Sequence, residues 1–132
     1  MLEDDADDED IFEEVLKELN IPNRLIWFTM ADEAFEYLKK TADQPFIIFS
    51  DVNLPGKNGV EFKKNIDDDP ELRRKSIPFV FYSTAADQQT INHVFINLTV
   101  QGFFKKSPSF KETRSTIGMI LDYWRECKHP NT

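Results

Sequence analysis

Three residues of different chemistry each stand at the end of an apolar run in this chain: Asp51 after Phe46-Ile47-Ile48-Phe49-Ser50, Thr84 after Phe79-Val80-Phe81-Tyr82-Ser83, and Lys106 after Gly102-Phe103-Phe104-Lys105. A carboxylate, a hydroxyl and an ammonium brought together form a site for a phosphoryl group. The carboxylate can attack phosphorus, and the other two can hold the phosphoryl oxygens. A second acidic group stands at Glu3-Asp4, directly after the apolar pair Met1-Leu2. Carboxylates gathered in one place repel one another, and a hard divalent cation with oxygen ligands relieves that cost.

For these groups to meet, the apolar runs must be strands of one parallel sheet, whose carboxyl ends share an edge. The runs are β-branched and aromatic and show no alternation, as strands buried on both faces do. We expect parallel strands near 25–28, 46–50, 79–83 and 102–104. Between them the apolar residues recur at helical spacing, giving helices over about 7–19, 59–67, 87–97 and 109–127. A further helix carries Ala34, Phe35 and Leu38 as its inner stripe, with Asp32 as its cap and Lys39-Lys40 at its end. The segment 71–75 reads as a charged stretch, and the acids Asp67-Asp68-Asp69 beside it as a solvated loop. Strands alternating with helices of this size make a doubly wound α/β fold, a parallel sheet with helices on both faces.

Composition narrows the function. At 132 residues there is room for one sizeable core, so residues 1–132 read as a single domain. One cysteine rules out a disulfide framework, and the apolar runs are strand-sized, so no membrane span or signal peptide is expected. A cytoplasmic location is the default. The net charge of -8 argues against a nucleic-acid partner, as does the lack of a helix-turn-helix segment. Seven of the first ten residues are acidic, which by charge counting alone is a solvated helix start. His93 and His129 read as surface residues, Cys127 as inert, and Trp27 and Trp124 as packing.

The ordered set resembles the receiver domain of bacterial two-component response regulators, a flavodoxin-like fold. Glu3-Asp4 resembles the acidic pair after the family's first strand. Asp51, followed by Leu54-Pro55-Gly56 and Gly59, matches the phosphoacceptor and its loop. Thr84-Ala85 matches the switch hydroxyl and its small neighbour, Lys106 the family's lysine, and Phe103 the switch aromatic. The resemblance implies that Asp51 takes a phosphoryl group from phosphohistidine on a histidine kinase or histidine phosphotransfer protein and relays it to a downstream protein. It also implies Mg²⁺ held directly by Asp4 and Asp51, through water by Glu3, and by the Asn53 carbonyl. The activity would be self-phosphorylation and self-dephosphorylation rather than turnover of a separate substrate, and dimer formation is left open.

Two departures from the family stand out. Ser107 follows Lys106 where the family usually has a proline, often after a cis peptide, so this bond is either trans, with the lysine re-aimed, or strained. The first strand is cut down to Met1-Leu2. Either the fold lacks most of a middle strand or the chain begins downstream of its start, and the cost of unpaired neighbouring strands favours the second. Two other functions compete. One is a degenerate receiver that acts only as a protein-binding module. The other is a Mg²⁺-dependent phosphatase of the haloacid-dehalogenase kind, which wants a second carboxylate where Asn53 stands and a cap for which the chain has no room.

Overall fold

A computed structural model describes residues 1–84 and 87–130. In chain order the elements are α1 (Ala6–Glu18), α2 (Ala31–Lys40), β1 (Ile48–Ser50), α3 (Gly59–Asp68), α4 (Pro70–Lys75), β2 (Phe79–Ser83), α5 (Gln88–Asn97), β3 (Gly102–Lys105) and α6 (Phe110–Glu126). The strands form a parallel sheet in the order β1-β2-β3, with Phe49 opposite Val80 and Phe81 opposite Phe103. Every residue of β1 and β2 is buried, as expected of strands covered on both faces.

Two packed layers cover that sheet. On one face Phe12 and Val15 of α1 and Ile117, Ile120 and Leu121 of α6 meet Phe49, Val80 and Tyr82. On the other, Ala34 and Leu38 of α2, Phe62 and Ile66 of α3, and Val94 of α5 meet Ile48, Phe79 and Phe81. Alternate strand residues therefore serve opposite cores. Full burial of Phe79 and Phe81 contributes about 1.5–3 kcal/mol each.

The run 25–28 is not a full strand. Phe28 forms a parallel bridge to Leu2, which bridges Ser50 on its other side, and the Ile26 carbonyl accepts from the Met1 amino group at 2.6 Å. Met1 to Glu3 thus lie between Phe28 and β1, tied by Leu2 N–H to Phe49 O (2.8 Å), Asp51 N–H to Leu2 O (2.9 Å) and Glu3 N–H to Phe28 O (3.0 Å). The first strand is short, as the sequence suggests, yet it holds the central place and delivers Glu3 to the carboxyl edge.

Two local expectations are corrected. The acids 67–69 do not form a loop: Asp67 and Asp68 end α3 and Asp69 opens α4, where Pro70 sits in the first turn and the Asp69 carboxylate caps Leu72 N–H at 3.0 Å. Asp69 also binds Lys39 at 2.9 Å, and Asp67 binds the buried Lys63 at 2.8 Å, so these acids are structural. Asp32 does not cap α2. The N-cap is Met30, which makes no side-chain cap bond, and Asp32 pairs instead with Lys57 at 3.1 Å.

Candidate functional site

The carboxyl edge of the sheet gathers Asp51 from the end of β1, Ser83 from the end of β2, and Lys106 from just beyond β3. Asp51 is buried at 7% exposure. Its Oδ1 accepts from Val52 N–H (2.6 Å), Asn53 N–H (3.2 Å) and the Ser83 hydroxyl (2.6 Å). Its Oδ2 accepts from the Lys106 ammonium at 2.9 Å. Gly59 lets this arrangement form. As the first residue of α3 it lies against the Asp51 peptide, where a Cβ would come within 1.9 Å of the Asp51 carbonyl oxygen.

Lys106 uses all three of its donors. Besides Asp51 it binds Glu3 Oε2 in a short contact and Asp8 Oδ2 at 2.7 Å. Its own N–H donates to Ser83 O at 3.0 Å, which continues the β2–β3 pairing and aims the side chain inward. No peptide bond among the described residues is cis, so the Lys106-Ser107 bond is trans and the lysine still reaches the site. Ser107 is occupied elsewhere: its hydroxyl accepts from Ser109 N–H at 3.1 Å, and its carbonyl accepts from the Thr113 hydroxyl at 3.3 Å, ahead of α6.

The electrostatics follow from burial and charge count. Three carboxylates face one ammonium, so full ionisation would leave two buried negative charges in excess. Burial, helped by a hydrogen bond to Asp51 and opposed by Lys106, pushes the Glu3 carboxyl up to about 8. Burial would also raise Asp51, but hydrogen bonds from Glu3, Ser83 and Lys106 outweigh it and hold Asp51 below the usual carboxylate range. For Lys106, burial works against the charged form, and the bonds to Asp8, Glu3 and Asp51 overcome it, so its pKa is raised. Asp51 is therefore the carboxyl held toward its charged form, and Glu3 the one pushed toward its neutral form.

The residues singled out by sequence come together in part. Glu3, Asp51 and Lys106 converge. Thr84 is exposed, and the hydroxyl on Asp51 belongs to its neighbour Ser83. Ala85 lies outside the described residues. Asp4 is exposed beside the cluster rather than in it, and Asn53 meets Asp51 through its N–H. Phe103 is half-buried, its ring 5.6 Å from that of Phe81. Asp8 was missed, although it precedes Phe12 by four residues and Val15 by seven and so opens the buried stripe of α1.

Glu3 and Asp51 offer the hard oxygen donors that suit a divalent cation. Among the described residues no group of three or more acids, histidines or cysteines is spaced to hold a metal ion, and Lys106 pairs with both Glu3 and Asp51.

A parallel sheet wound on both faces, with an ionised, lysine-bound aspartate at its carboxyl edge, defines a phosphoacceptor domain. The family model of the response regulator receiver domain matches residues 1–117, and the chain belongs to that family. The response regulator Rcp1 of Synechocystis sp. is 28% identical over 131 residues, covering 96% of this chain and 87% of that protein. Among solved structures, the phosphorylated cyanobacterial phytochrome response regulator RcpA matches with a TM-score of 0.87 at 28% identity, over 99% of this chain and 95% of that one. The Mn²⁺-bound form of Rcp1 matches with a TM-score of 0.84 at 27% identity, over 99% and 96% of the two chains. The fold is that of receiver domains, which are phosphorylated on an aspartate in two-component signalling, receive the group from histidine kinases and act on downstream targets. No described helix is long and apolar enough to cross a membrane.

Proposed function

We propose that Asp51 is the phosphoacceptor of a receiver made by residues 1–132, acting in the cytoplasm between a histidine kinase or histidine phosphotransfer protein and a downstream protein. The observation that carries this reading is the double hold on Asp51, with Lys106 on one carboxylate oxygen and Ser83 on the other. A carboxylate oxygen attacks phosphorus, the phosphorus–nitrogen bond of phosphohistidine breaks, and its electron pair leaves on the imidazole nitrogen. Lys106 then faces the new phosphoryl oxygens. Ser83 is placed to donate to one of them, the role that the family resemblance gives to Thr84. Water attack on the acyl phosphate returns the carboxylate and releases phosphate, which makes the domain self-dephosphorylating.

Mg²⁺ is the cation we assign: by the family resemblance Asp51 and Asp4 would hold it directly, Glu3 through water and Asn53 by its carbonyl, with the exposed Asp4 side chain turning toward Asp51 to do so. Such an ion neutralises charge on the transferring oxygens. Phe103, packed on Phe81 one strand from the acceptor, is the switch aromatic in this reading. The surface it would alter carries Phe95 and Ile96 of α5, 52% and 79% exposed.

Incubation with Mg²⁺ and acetyl phosphate should add one phosphoryl mass to the wild-type chain and none to Asp51→Asn or Asp51→Glu. A folded wild-type sample that gains no mass, even from a competent phosphohistidine donor, would leave a receiver that works only as a protein-binding module.

A further inference from the structure

We propose that Asp8 is a positioning residue for phosphoryl transfer, fixing the Lys106 ammonium from outside the set of groups that the reaction changes. The inference rests on the reading of Asp51 as the acceptor. Lys106 carries its charge on a flexible four-carbon stem, and aiming it costs rotamer entropy. The residue after it, Ser107, is committed to the start of α6 and leaves the lysine side chain free. The aim therefore comes from the three carboxylates around the ammonium.

These three differ in what the reaction does to them. Asp51 loses its anionic oxygen when it becomes an acyl phosphate. Glu3 sits at 1% exposure against Asp51 and meets any change there directly. Asp8 stands on α1, in the first turn, and its backbone N–H donates to Asp5 O at 3.1 Å. Its side chain is 26% exposed and holds Lys106 at 2.7 Å. The Tyr82 ring lies on the ammonium as well, its centroid 5.9 Å from Nζ. Between them Asp8 and Tyr82 define one side of the ammonium, so that its remaining donors point toward Asp51 throughout the transfer. An ion pair that is half-buried and charge-assisted is strong enough to set such a direction.

The test measures phosphoryl uptake from acetyl phosphate, at saturating Mg²⁺, in the wild type and in Asp8→Asn, Asp8→Glu and Asp7→Asn. Nitrogen-15 NMR of the Lys106 ammonium is recorded alongside. Asp8→Asn should slow uptake about tenfold, about 1.4 kcal/mol of transition-state stabilisation, and broaden or shift the ammonium signal. Asp8→Glu should recover most of the rate, and Asp7→Asn, an exposed neighbour in the same turn, should match the wild type. Urea unfolding of each variant separates a positioning effect from a lost fold, and Asp8→Glu serves as the informative variant should Asp8→Asn unfold. An active wild type with an unchanged rate and unchanged ammonium signal in Asp8→Asn overturns the role of Asp8. An inactive wild type overturns the Asp51 reading instead.

Discussion

Replacing Gly59 with alanine probes how the backbone sets the acceptor. The residue opens α3 and donates its N–H to Val52 O at 2.8 Å, so the helix start is seated on the loop that follows β1. An added Cβ would stand 1.9 Å from the Asp51 carbonyl oxygen, and 3.0 Å from both the Asp51 carbonyl carbon and Ser50 Oγ. Even weak C–H···O contacts keep carbon and oxygen about 3.3 Å apart, so helix and strand end must separate by roughly 1 Å or more. Neither yields easily. The Asp51 carbonyl accepts from the Ser50 hydroxyl at 2.9 Å, and its side chain is tied to Lys106, Ser83 and two backbone N–H groups. Overpacking costs about 1–3 kcal/mol, and loss of the Gly59–Val52 bond about 1 kcal/mol more. The stiffer unfolded chain returns about 0.4–1 kcal/mol. The net loss of about 1–3.5 kcal/mol should lower Tm by roughly 3–15 °C, read by circular dichroism. Because the clash falls on the acceptor's own peptide, phosphoryl uptake should slow as well. Gly118→Ala is the control, since a Cβ there meets only the Leu19 side chain at 3.4 Å and helix propensity favours it by up to about 1 kcal/mol. Gly59→Ala with an unchanged Tm and uptake rate would refute the contact between α3 and the Asp51 peptide.

Ser83→Ala should cost about 1–2 kcal/mol, since it strips a buried donor from Asp51, while Thr84→Ala, at an exposed position, should lie within about 0.5 kcal/mol of the wild type; urea midpoints of the two variants decide it, and the reverse order would restore Thr84. The stability of the metal-free protein should depend on pH through Glu3, whose folded value of about 8 lies above its ordinary 4.5. Between those values the folded chain binds more protons than the unfolded one, so stability falls as pH rises from about 5 to 8, at up to about 1.4 kcal/mol per pH unit. Asp51, held below its ordinary 3.8, contributes with the opposite sign: its stabilisation is present above that value and is lost as pH drops through the folded one. Urea midpoints across this range should flatten in Glu3→Gln, and a wild type already flat from pH 5 to 8 would mean that Glu3 is ionised throughout. Asp51→Asn turns an amide N–H₂ toward either Lys106 or the donors on Oδ1, so the metal-free variant should lose stability, on the order of 1–3 kcal/mol; a higher urea midpoint in that variant would show that repulsion from Glu3 and Asp8 outweighs the lost bonds.

What the sequence disclosed, and what it did not, follows from how far each signal reaches. The runs that became β1 and β2 were legible because both of their faces are buried, so their apolar residues are consecutive, and β3, half-buried at Phe103 and Phe104, was legible from the aromatic pair between Gly102 and Lys105. The run 25–28 is as apolar, yet among the described residues it meets the sheet through Phe28 and the Ile26 carbonyl rather than as a full strand, because strand formation depends on tertiary pairing as well as on apolarity. Segment 70–75 already carried its own start signals, an Asp69 cap and Pro70 in the first turn, but with Leu72 its one buried residue it shows no apolar stripe at helical spacing. At the site the errors are one residue wide. Ser83 and Thr84 are adjacent hydroxyls at a strand end, and side chains alternate faces there, so only the pairing register decides which one meets Asp51. That register is set by the Lys106 N–H to Ser83 O bond and the facing pair Ser83–Lys105, which are contacts between segments that one sequence does not reveal.

Asp8 was hidden for a different reason. Among seven acids in ten residues, charge counting treats all alike, and each is accounted for by a solvated helix start. Helical phase separates them: four residues before Phe12 and seven before Val15, Asp8 alone falls on both the acidic tract and the buried stripe. In that position its half-buried carboxylate meets the Lys106 ammonium at 2.7 Å. The cation it meets ends the strand that pairs with β2, which is how one helical turn of acids joins the phosphoacceptor edge.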